Sequence, residues 1–527
     1  MTQLIDPATD ATVRAYTERS NGEDHVLDAL DSIAGRIRAD LGESLKQIHS
    51  SDQPLPQVTT SSLTALKLYA EAQSLWSHTK YDEAVSLYKS AIELDPDFAM
   101  AHAALGRAYC SHIYYQVELC RQEYGKAQSL GSRLTEREKM LLDARAALDL
   151  GRAEEAYRLY SSFLARYPED WAVLREYANL LRRHGRVLDA MEQHKRILAI
   201  APDDAHTWIE MATANSTLGS FSDAVQEYSQ AFRIEPDLLT SGNVNREYGM
   251  ALVGNGEEQR AVTVFSDLLQ NPARREVGLC SLAMLDLFHG RYNRAQGRFQ
   301  DALLIDESAH NSFDAARVHF WLAVIAEGRG DNRTRLRELD RSVADLKNLG
   351  PKVAWGALVG QEYVRAGALS KAEAIAGFIT PLADPHDDEQ MDYVRLLRAS
   401  IAADQGQTAG ATQQLLLLSD PAHGPSVNGL AMETLAYTYQ RAGELDQAIS
   451  QYEKFAAPLN PLTFWEPQQR WAVSRYIVAS DYVKHGQPDK AKQTLALLLE
   501  LWKDSDADLP LREAALELQT QLAHYAE

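Results

Sequence analysis

A period of 34 residues between positions 135 and 236 limits what this chain can fold into more than any other feature of its sequence. Four kinds of residue repeat in phase at this step, so a chance match of one motif does not explain them. They are the prolines Pro168, Pro202 and Pro236, the alanines Ala156, Ala190 and Ala224, the ring side chains Tyr160, His194 and Tyr228, and the glycines Gly185 and Gly219. This period is typical of a solenoid built from helix–turn–helix units.

The copy at 169–202 shows how one unit is built. Leu174 and Tyr177 lie three residues apart, which predicts a first helix with one apolar face. A second helix follows Gly185 and ends at Pro202, because glycine tolerates the left-handed residue after a helix and proline cannot continue one. One such hairpin cannot bury its apolar face alone, so the copies are predicted to stack into an all-α solenoid.

The next copy carries the fullest motif. Its residues are Trp208, Met211, Ala212, Gly219, Phe221, Ala224, Tyr228, Ala231 and Pro236. In type and spacing they resemble the tetratricopeptide repeat (TPR) family, with Asn215 where the family has a tyrosine. The resemblance implies a superhelix of helix pairs whose first helices line a concave groove that binds peptides.

The sequence predicts four regions along the chain. Residues 1–19 alternate like two short strands, and we interpret them as a β-hairpin remnant of a missing sheet, with a frayed tail as the alternative. Residues 20–60 form an amphipathic helix and a linker. About twelve TPR-like units occupy 61–503, with a helical pattern that runs on through 110–134 in an irregular second unit, and a capping helix occupies 504–527.

Three stretches, at 41–45, 58–67 and 501–510, carry a narrower resemblance. They are similar to the C-terminal half of large bacterial signalling proteins, in which a Ser/Thr protein kinase, an adenylate/guanylate cyclase-like domain or a winged-helix domain precedes a TPR array. The resemblance implies that this chain lacks the effector domain, since no residue matches an effector motif. The resemblance leaves the location open: without a recognisable export signal we expect a cytoplasmic location, and a periplasmic one if the array is fused to a membrane-spanning effector.

Composition limits the partners and the compartment. The net charge is −21, whereas phosphate backbones need a basic surface, so the sequence predicts no nucleic-acid partner. No apolar run approaches the ~18–20 residues of a membrane span, and no signal segment is recognisable at the N-terminus. Cys110, Cys120 and Cys280 are too few and too scattered for a disulfide framework, and the first two are expected to be buried thiols.

Motifs for catalysis or cofactor binding are not found in the sequence. There is neither a phosphate-binding glycine loop nor an HExxH zinc motif. His112, near Cys110 and Cys120, lacks the paired spacing of a zinc site. The acidic tract at 384–389 favours a solvated loop over a cation site. The sequence therefore predicts no enzyme activity, no cofactor and no metal.

The first helix of the copy that ends at Pro202 carries the candidate binding residues of the groove. Arg175 and Asn179 lie one turn apart on one face, and Arg182 lies a further turn along. Such side chains hold a peptide's carboxylate and backbone, although ordinary solvated surface is the simpler alternative. A clamp for a C-terminal carboxylate needs an asparagine and basic residues at further positions of the next two units, which hold Glu210, Asn243 and Glu247 here. The two acidic residues would repel a carboxylate and argue against that ligand.

These observations predict a non-catalytic scaffold or sensor of a bacterial signalling system that binds a protein or peptide in the concave groove. The alternative is the regulatory half of a split or truncated Ser/Thr kinase or nucleotide cyclase. A third hypothesis, transcription control, requires a separate DNA-binding part because the chain is acidic. A neighbouring gene for an effector would favour the second hypothesis, and a free-standing gene would favour the first.

Overall fold

The computed structural model describes residues 2–6, 11–18, 26–40, 60–78, 80–111, 114, 116–240, 242–346, 353–383, 388–420, 423, 425–456 and 465–524. Most of the predicted linker, His112 and most of the acidic tract at 384–389 lie outside the described residues. The chain divides into two compact units, Met1–Pro168 and Glu169–Glu527. Each unit is described by itself.

The first unit combines a small β-hairpin with helices. Strands β1 (Thr2–Asp6) and β2 (Ala11–Tyr16) pair antiparallel, as the sequence predicts. The described helices of this unit are α1 (Val26–Asp40), α2 (Leu63–Ser77), α3 (Tyr81–Leu94), α4 (Ala99–Cys110), α5 (Val117–Ser129), α6 (Glu136–Asp149) and α7 (Ala153–Arg166). From α2 onward they pack as three successive pairs.

The hairpin packs against α1. Tyr16, at the end of β2, is only 1% exposed, and Ile33 of α1 is also buried. The guanidinium carbon of Arg36 lies 5.6 Å from the centre of the Tyr16 ring, and its Nη1 is 3.1 Å from the Glu18 carboxylate. The two strands thus have a partner helix, and the interpretation of this hairpin as part of a larger sheet stays a prediction.

The second unit continues the array with nine further pairs among its described residues and then a final helix. They are α8 (Trp171–Arg183), α9 (Val187–Ile200), α10 (Ala205–Thr217), α11 (Phe221–Ile234), α12 (Gly242–Gly254), α13 (Glu258–Leu268), α14 (Arg275–Phe288), α15 (Tyr292–Ser308), α16 (Ser312–Gly328), α17 (Asn332–Leu346), α18 (Val353–Arg365), α19 (Leu369–Ile379), α20 (Asp388–Asp404), α21 (Thr408–Leu418), α22 (Pro425–Ala442), α23 (Leu445–Ala456), α24 (Trp465–Lys484), α25 (Pro488–Leu501) and α26 (Pro510–His524).

The turns between helices and the helix caps form at the residues that the sequence predicts. Gly185 and Gly219 have φ angles of +72° and +78°, the left-handed conformation that glycine adopts at least cost. At the start of α6, Thr135 and Glu138 form the expected capping box, in which each side chain accepts from the other residue's backbone N–H. Ala190 is fully buried where paired helices approach. The predicted all-α solenoid of TPR type is therefore confirmed.

The irregular second pair differs from the expectation of a continuous helical stretch. Helix α4 ends because Ser111 takes an extended conformation, and the Gln116 N–H donates to the Tyr109 carbonyl at 2.8 Å. A disulfide joins Cys110 to Cys120 across this turn, with their Cα atoms 5.4 Å apart. The expectation of two buried thiols is therefore wrong, because the turn between α4 and α5 brings together cysteines that lie ten residues apart in sequence.

First helices of successive pairs pack against one another in both units, and we call the surface they form the first-helix face. In the second unit, α14 also packs against α24, with the Phe288 and Trp471 rings 6.1 Å apart. The chain after α25 completes this contact: the Trp502 Nε1–H donates to the Phe288 carbonyl at 3.0 Å, and the Asn293 N–H donates to Asp506 at 2.7 Å. The C-terminal end of α14 and the turn that follows it are therefore covered by α24 and by the segment that follows α25.

Candidate binding faces

One position of the first helix recurs through six pairs and changes its charge along the sequence. It is occupied by Gln73, Arg107, Arg145, Asn179, Thr213 and Glu247. The steps are 34 residues, except for the step of 38 to Arg145, because the irregular second pair adds four residues. The position is neutral and then twice basic in the first unit, and twice neutral and then acidic in the second, so the two units offer different chemistry at equivalent places.

The predicted groove residues Arg175, Asn179 and Arg182 all lie on α8, and each is half-buried. Both arginines are engaged by carboxylates of the following pair. Nη2 of Arg175 lies 2.5 Å from Oδ2 of Asp204, and Nε of Arg182 lies 3.6 Å from Oε2 of Glu210. The structure thus places the three residues on one helix, with their positive charge balanced by inter-repeat ion pairs.

His194 is an unusual residue beneath this stretch. It occupies the tyrosine position of the repeat, is 1% exposed, and neither ring nitrogen has a hydrogen-bond partner. Burial lowers the pKa of His194 to about 4, although Glu210 opposes the shift. In the next pair, the hydroxyl of Tyr228 reaches Thr213 at 3.1 Å. The shorter imidazole makes no such contact, so this pair lacks the hydrogen bond of its neighbour.

The first unit holds a cavity of about 340 Å³ that the sequence did not predict. It lies between the first helices α2, α4 and α6, and two tyrosines from the second helices α3 and α5 complete it. The lining residues are Tyr69, Gln73, Trp76, Tyr88, Met100, Ala103, Ala104, Arg107, Ala108, Tyr124, Leu142 and Arg145. This lining contains four aromatic rings, two arginines and no acidic residue.

Contacts among the aromatic residues give the cavity a defined wall. The Tyr69 and Tyr88 rings lie 6.0 Å apart, and the Gln73 side-chain amide donates to the Tyr69 hydroxyl at 3.0 Å. Trp76 is half-buried and packs edge-on against Tyr81, with ring centres 4.9 Å apart. Convergent rings with a few polar groups are typical of sites that bind an apolar side chain and fix its orientation.

A smaller cavity, of about 160 Å³, lies on the first-helix face of the second unit between α18, α20 and α22. Its arginines are already paired with carboxylates. Arg365 binds Glu362 at 3.0 Å and also binds Glu433, and Arg441 binds Asp404. These ion pairs balance the charge of both arginines within the second unit.

A buried network of ion pairs crosses the same face. Arg470 of α24 binds Glu327 of α16 at 2.8 Å and also binds Glu362 of α18. Arg335 bridges the same two carboxylates, at 3.0 Å to Glu327 and 2.7 Å to Glu362. Burial disfavours the charged form of Glu362, but the charges of Arg470, Arg335 and Arg365 outweigh it and hold its pKa well below the usual value. These side chains form a polar core that joins distant pairs.

Residues 79–111 match a model of the TPR repeat, and residues 141–205 match a model of the tetratricopeptide repeat. A search of curated proteins found no match. None of the helices in the described parts of the chain has the length and apolar character needed to cross a membrane.

Several solved structures align with the chain. Yeast Tom70 is 14% identical, with a TM-score of 0.34, and the alignment covers 80% of this chain and 96% of that one. The human IFIT1 dimer with m7Gppp-AAAA is 14% identical, with a TM-score of 0.35 and coverage of 86% and 99%. The Cut9–Hcn1 structure is 12% identical, with a TM-score of 0.35 and coverage of 93% and 99%.

Proposed function

Because this chain is a tetratricopeptide-repeat protein, we propose that it is a non-catalytic scaffold or sensor module that binds a protein or peptide on its first-helix face. The observation that carries the proposal is the aromatic cavity of the first unit. A chain with a net charge of −21 lines this cavity with two arginines and no acidic residue. The lining favours a peptide segment that brings a large apolar side chain next to a negative charge.

The predicted groove residues, which lie in the second unit, belong to the proposal as a separate candidate site. Arg175 and Arg182 already pair with Asp204 and Glu210, so a ligand that binds there exchanges one carboxylate partner for another. Asn179 adds an amide that can both donate to and accept from a peptide backbone. We therefore expect this stretch to contribute less affinity than the cavity of the first unit.

The signalling role is a further part of the proposal and comes from the resemblance to bacterial kinase- and cyclase-associated arrays. In that setting the chain presents a partner to an effector. The alternative is the regulatory half of a split Ser/Thr kinase or nucleotide cyclase. An adjacent gene that encodes an effector, together with co-purification of its product, would favour the alternative. We include no nucleic-acid partner, because the surface charge is strongly negative.

The compartment is proposed on the same basis. The resemblance allows a cytoplasmic location, or a periplasmic one if the array is joined to a membrane-spanning effector. The disulfide between Cys110 and Cys120 supports the periplasmic alternative, because disulfides persist in oxidising compartments and are rare in the cytosol. Alkylation of free thiols in intact source cells tests this proposal. Protection of both Cys110 and Cys120 from the reagent indicates the periplasm, and alkylation of both indicates the cytoplasm.

Affinity capture with matched variants tests the binding proposal. The intact chain and an Arg107→Ala/Arg145→Ala variant are used as baits in lysate of the source cells, and the captured proteins are identified by mass spectrometry. We expect a partner that the intact chain retains and the variant loses, with an affinity for the purified partner at least about tenfold lower, because hydrogen bonds to charged groups contribute about 1.5–3 kcal/mol each.

Two controls separate recognition from general charge. Arg121→Ala removes an exposed arginine of α5 that pairs with Glu118, away from the cavity lining, and should capture the same partner as the intact chain. Arg175→Ala/Asn179→Ala, compared with Arg183→Ala on the same helix, measures the contribution of the predicted groove. If both double variants capture the partner as well as the intact chain does, the first-helix face is rejected as the binding site.

A further inference from the structure

We infer that the second unit contains a site for a hard divalent cation, such as Ca²⁺, Mg²⁺ or Mn²⁺, between Glu276, Asp306 and Asp314. One carboxylate oxygen from each of these residues lies within 4.8 Å of the others. Oxygens that share one calcium ion at about 2.4 Å lie within about 4.8 Å of each other. The inference is independent of the proposed peptide-binding function.

The second observation concerns Asp306 alone. Its side chain is 2% exposed, and its Oδ2 atom is buried without a hydrogen-bond partner. A buried carboxylate without a donor is costly, so it needs either a proton or a cation. Burial and the charges of Glu276 and Asp314 disfavour the ionised form of Asp306, and the charge of Arg317 opposes them. The surrounding protein therefore compensates this carboxylate only in part.

The other two carboxylates are held in place by neighbouring donors. The Cys280 thiol donates to Oε1 of Glu276 at 3.0 Å. The Asn311 amide donates to Oδ2 of Asp314 at 2.6 Å, and Nη1 of Arg317 donates to its Oδ1 at 2.7 Å. Donors of this kind orient ligating carboxylates in metal sites and are part of their design.

Helix ends also favour a cation at Asp306. Glu276 and Asp314 lie in the first turns of α14 and α16, where the positive end of the helix dipole stabilises anions. Asp306 lies in the last turn of α15, where the dipole is negative and disfavours an anion. A cation bound next to Asp306 compensates the carboxylate that the helix ends disfavour.

The local charge balance sets the expected affinity. Arg317 forms an ion pair with Asp314, and Arg246 interacts electrostatically with Glu247 and with Glu276. These two guanidinium groups reduce the negative charge of the cluster, so the site does not attract a divalent ion as strongly as an all-carboxylate site. We expect a dissociation constant of about 10⁻⁴–10⁻³ M, as in extracellular calcium modules.

Cation titration of the full chain tests the inference. Protein stripped of metal by a chelator is titrated with CaCl₂, MgCl₂ or MnCl₂, with thermal unfolding and isothermal calorimetry as readouts. The variant is Asp306→Asn, which keeps the shape and removes the charge. The matched control is Asp301→Asn, which changes an exposed aspartate of the same helix. Glu276→Gln serves as a second variant if Asp306→Asn does not fold.

We expect at least one of the three cations to raise the unfolding temperature by about 2 °C or more at saturation. The Asp301→Asn control should keep this shift, and the Asp306→Asn or Glu276→Gln variant should bind the ion at least about tenfold more weakly. The inference is overturned if none of the cations binds, or if the variants bind as tightly as the intact chain. It is also overturned if Asp306→Asn raises stability while no cation has an effect, because a proton then compensates Asp306.

Discussion

In the first unit, the first-helix face leaves a cavity of about 340 Å³ between aromatic side chains and two arginines, whereas in the second unit the same face is crossed by paired charges. The helix pairs that build both faces follow one repeat pattern. The difference lies in the side chains that the first helices carry and in the contact between α14 and α24, which joins distant pairs of the second unit. We therefore propose that the same architecture supplies a recognition surface in one region, whereas it forms a polar core in the other.

The comparison explains why the repeat alone does not specify a binding site. Stacking needs only the apolar positions between helices and the small residues at close approaches. The remaining positions of the first helix are free to vary. In the first unit they hold residues such as Trp76 and Arg107, and in the second they hold residues such as Glu362, whose charges are satisfied within the fold.

The largest effect is expected from breaking the polar core. Arg470→Ala leaves Glu327 and Glu362 with one positive neighbour fewer in a buried setting. We expect the free energy of unfolding of the second unit to fall by about 3–5 kcal/mol, as when one partner of a buried ion pair is removed. Calorimetric unfolding measures the change. Lys503→Ala, which removes an exposed lysine paired with Glu500, should change stability by less than about 1 kcal/mol.

A somewhat smaller loss of stability is expected when the pH is lowered, because His194 is buried in its neutral form. Between its ordinary pKa of about 6.5 and its folded pKa of about 4, the unfolded chain binds a proton that the folded chain does not. The stability of the second unit should therefore fall as the pH drops through this window, by up to about 3 kcal/mol. His194→Tyr restores the repeat residue and should remove this part of the slope. Equal pH dependence of both proteins in calorimetry would show that His194 does not titrate in this way.

The disulfide should stabilise the first unit only. Cys110→Ser/Cys120→Ser opens a short loop, and the expected loss is about 2–3 kcal/mol. Hydrogen exchange of backbone amides, analysed separately for peptides of each unit, shows which unit loses stability. The second unit should keep its protection, and Cys280→Ser, which changes its free cysteine, should leave the first unit unaffected. A loss of protection in the second unit on removal of the disulfide would contradict this account.

The smallest effect on stability is expected where the effect on binding is largest. Arg107→Ala/Arg145→Ala changes lining residues of an open cavity, so we expect the free energy of unfolding to change by less than about 0.5 kcal/mol. Chemical denaturation of the variant next to the intact chain checks this. A loss of several kcal/mol would indicate that the two arginines are part of the core of the first unit, as Arg470 is in the second.

Local sequence signals predicted the architecture well. The period of 34, the turn at Gly185 and the capping box at Thr135 depend on nearby residues, and the structure has them as expected. The cavity of the first unit is harder to predict from the sequence. Gln73 and Arg107 occupy one register position of the repeat, but the irregular second pair shifts the next residue of this series by four positions. Allowing for that shift places Arg145 in the same series.

Long-range partners could not be predicted in this way. Arg470 binds Glu327, which lies 143 residues earlier, and Trp502 donates to a carbonyl 214 residues earlier. Such contacts depend on how many pairs separate two helices and on the turn of each pair, which no local pattern encodes. The predicted groove at Arg175 lies on the expected helix, and the carboxylate of Asp204 that pairs with it became visible only in the structure.

The most direct test of whether recognition lies in the first unit is the affinity of the captured partner for two arginine variants, one in each unit. One variant is Arg107→Ala/Arg145→Ala in the first unit, and the other is Arg441→Ala, which lines the smaller cavity of the second unit. We predict a loss of at least about tenfold for the first variant and an unchanged affinity for the second. Unchanged affinity for the first variant, or a loss confined to Arg441→Ala, would contradict the assignment of recognition to the first unit.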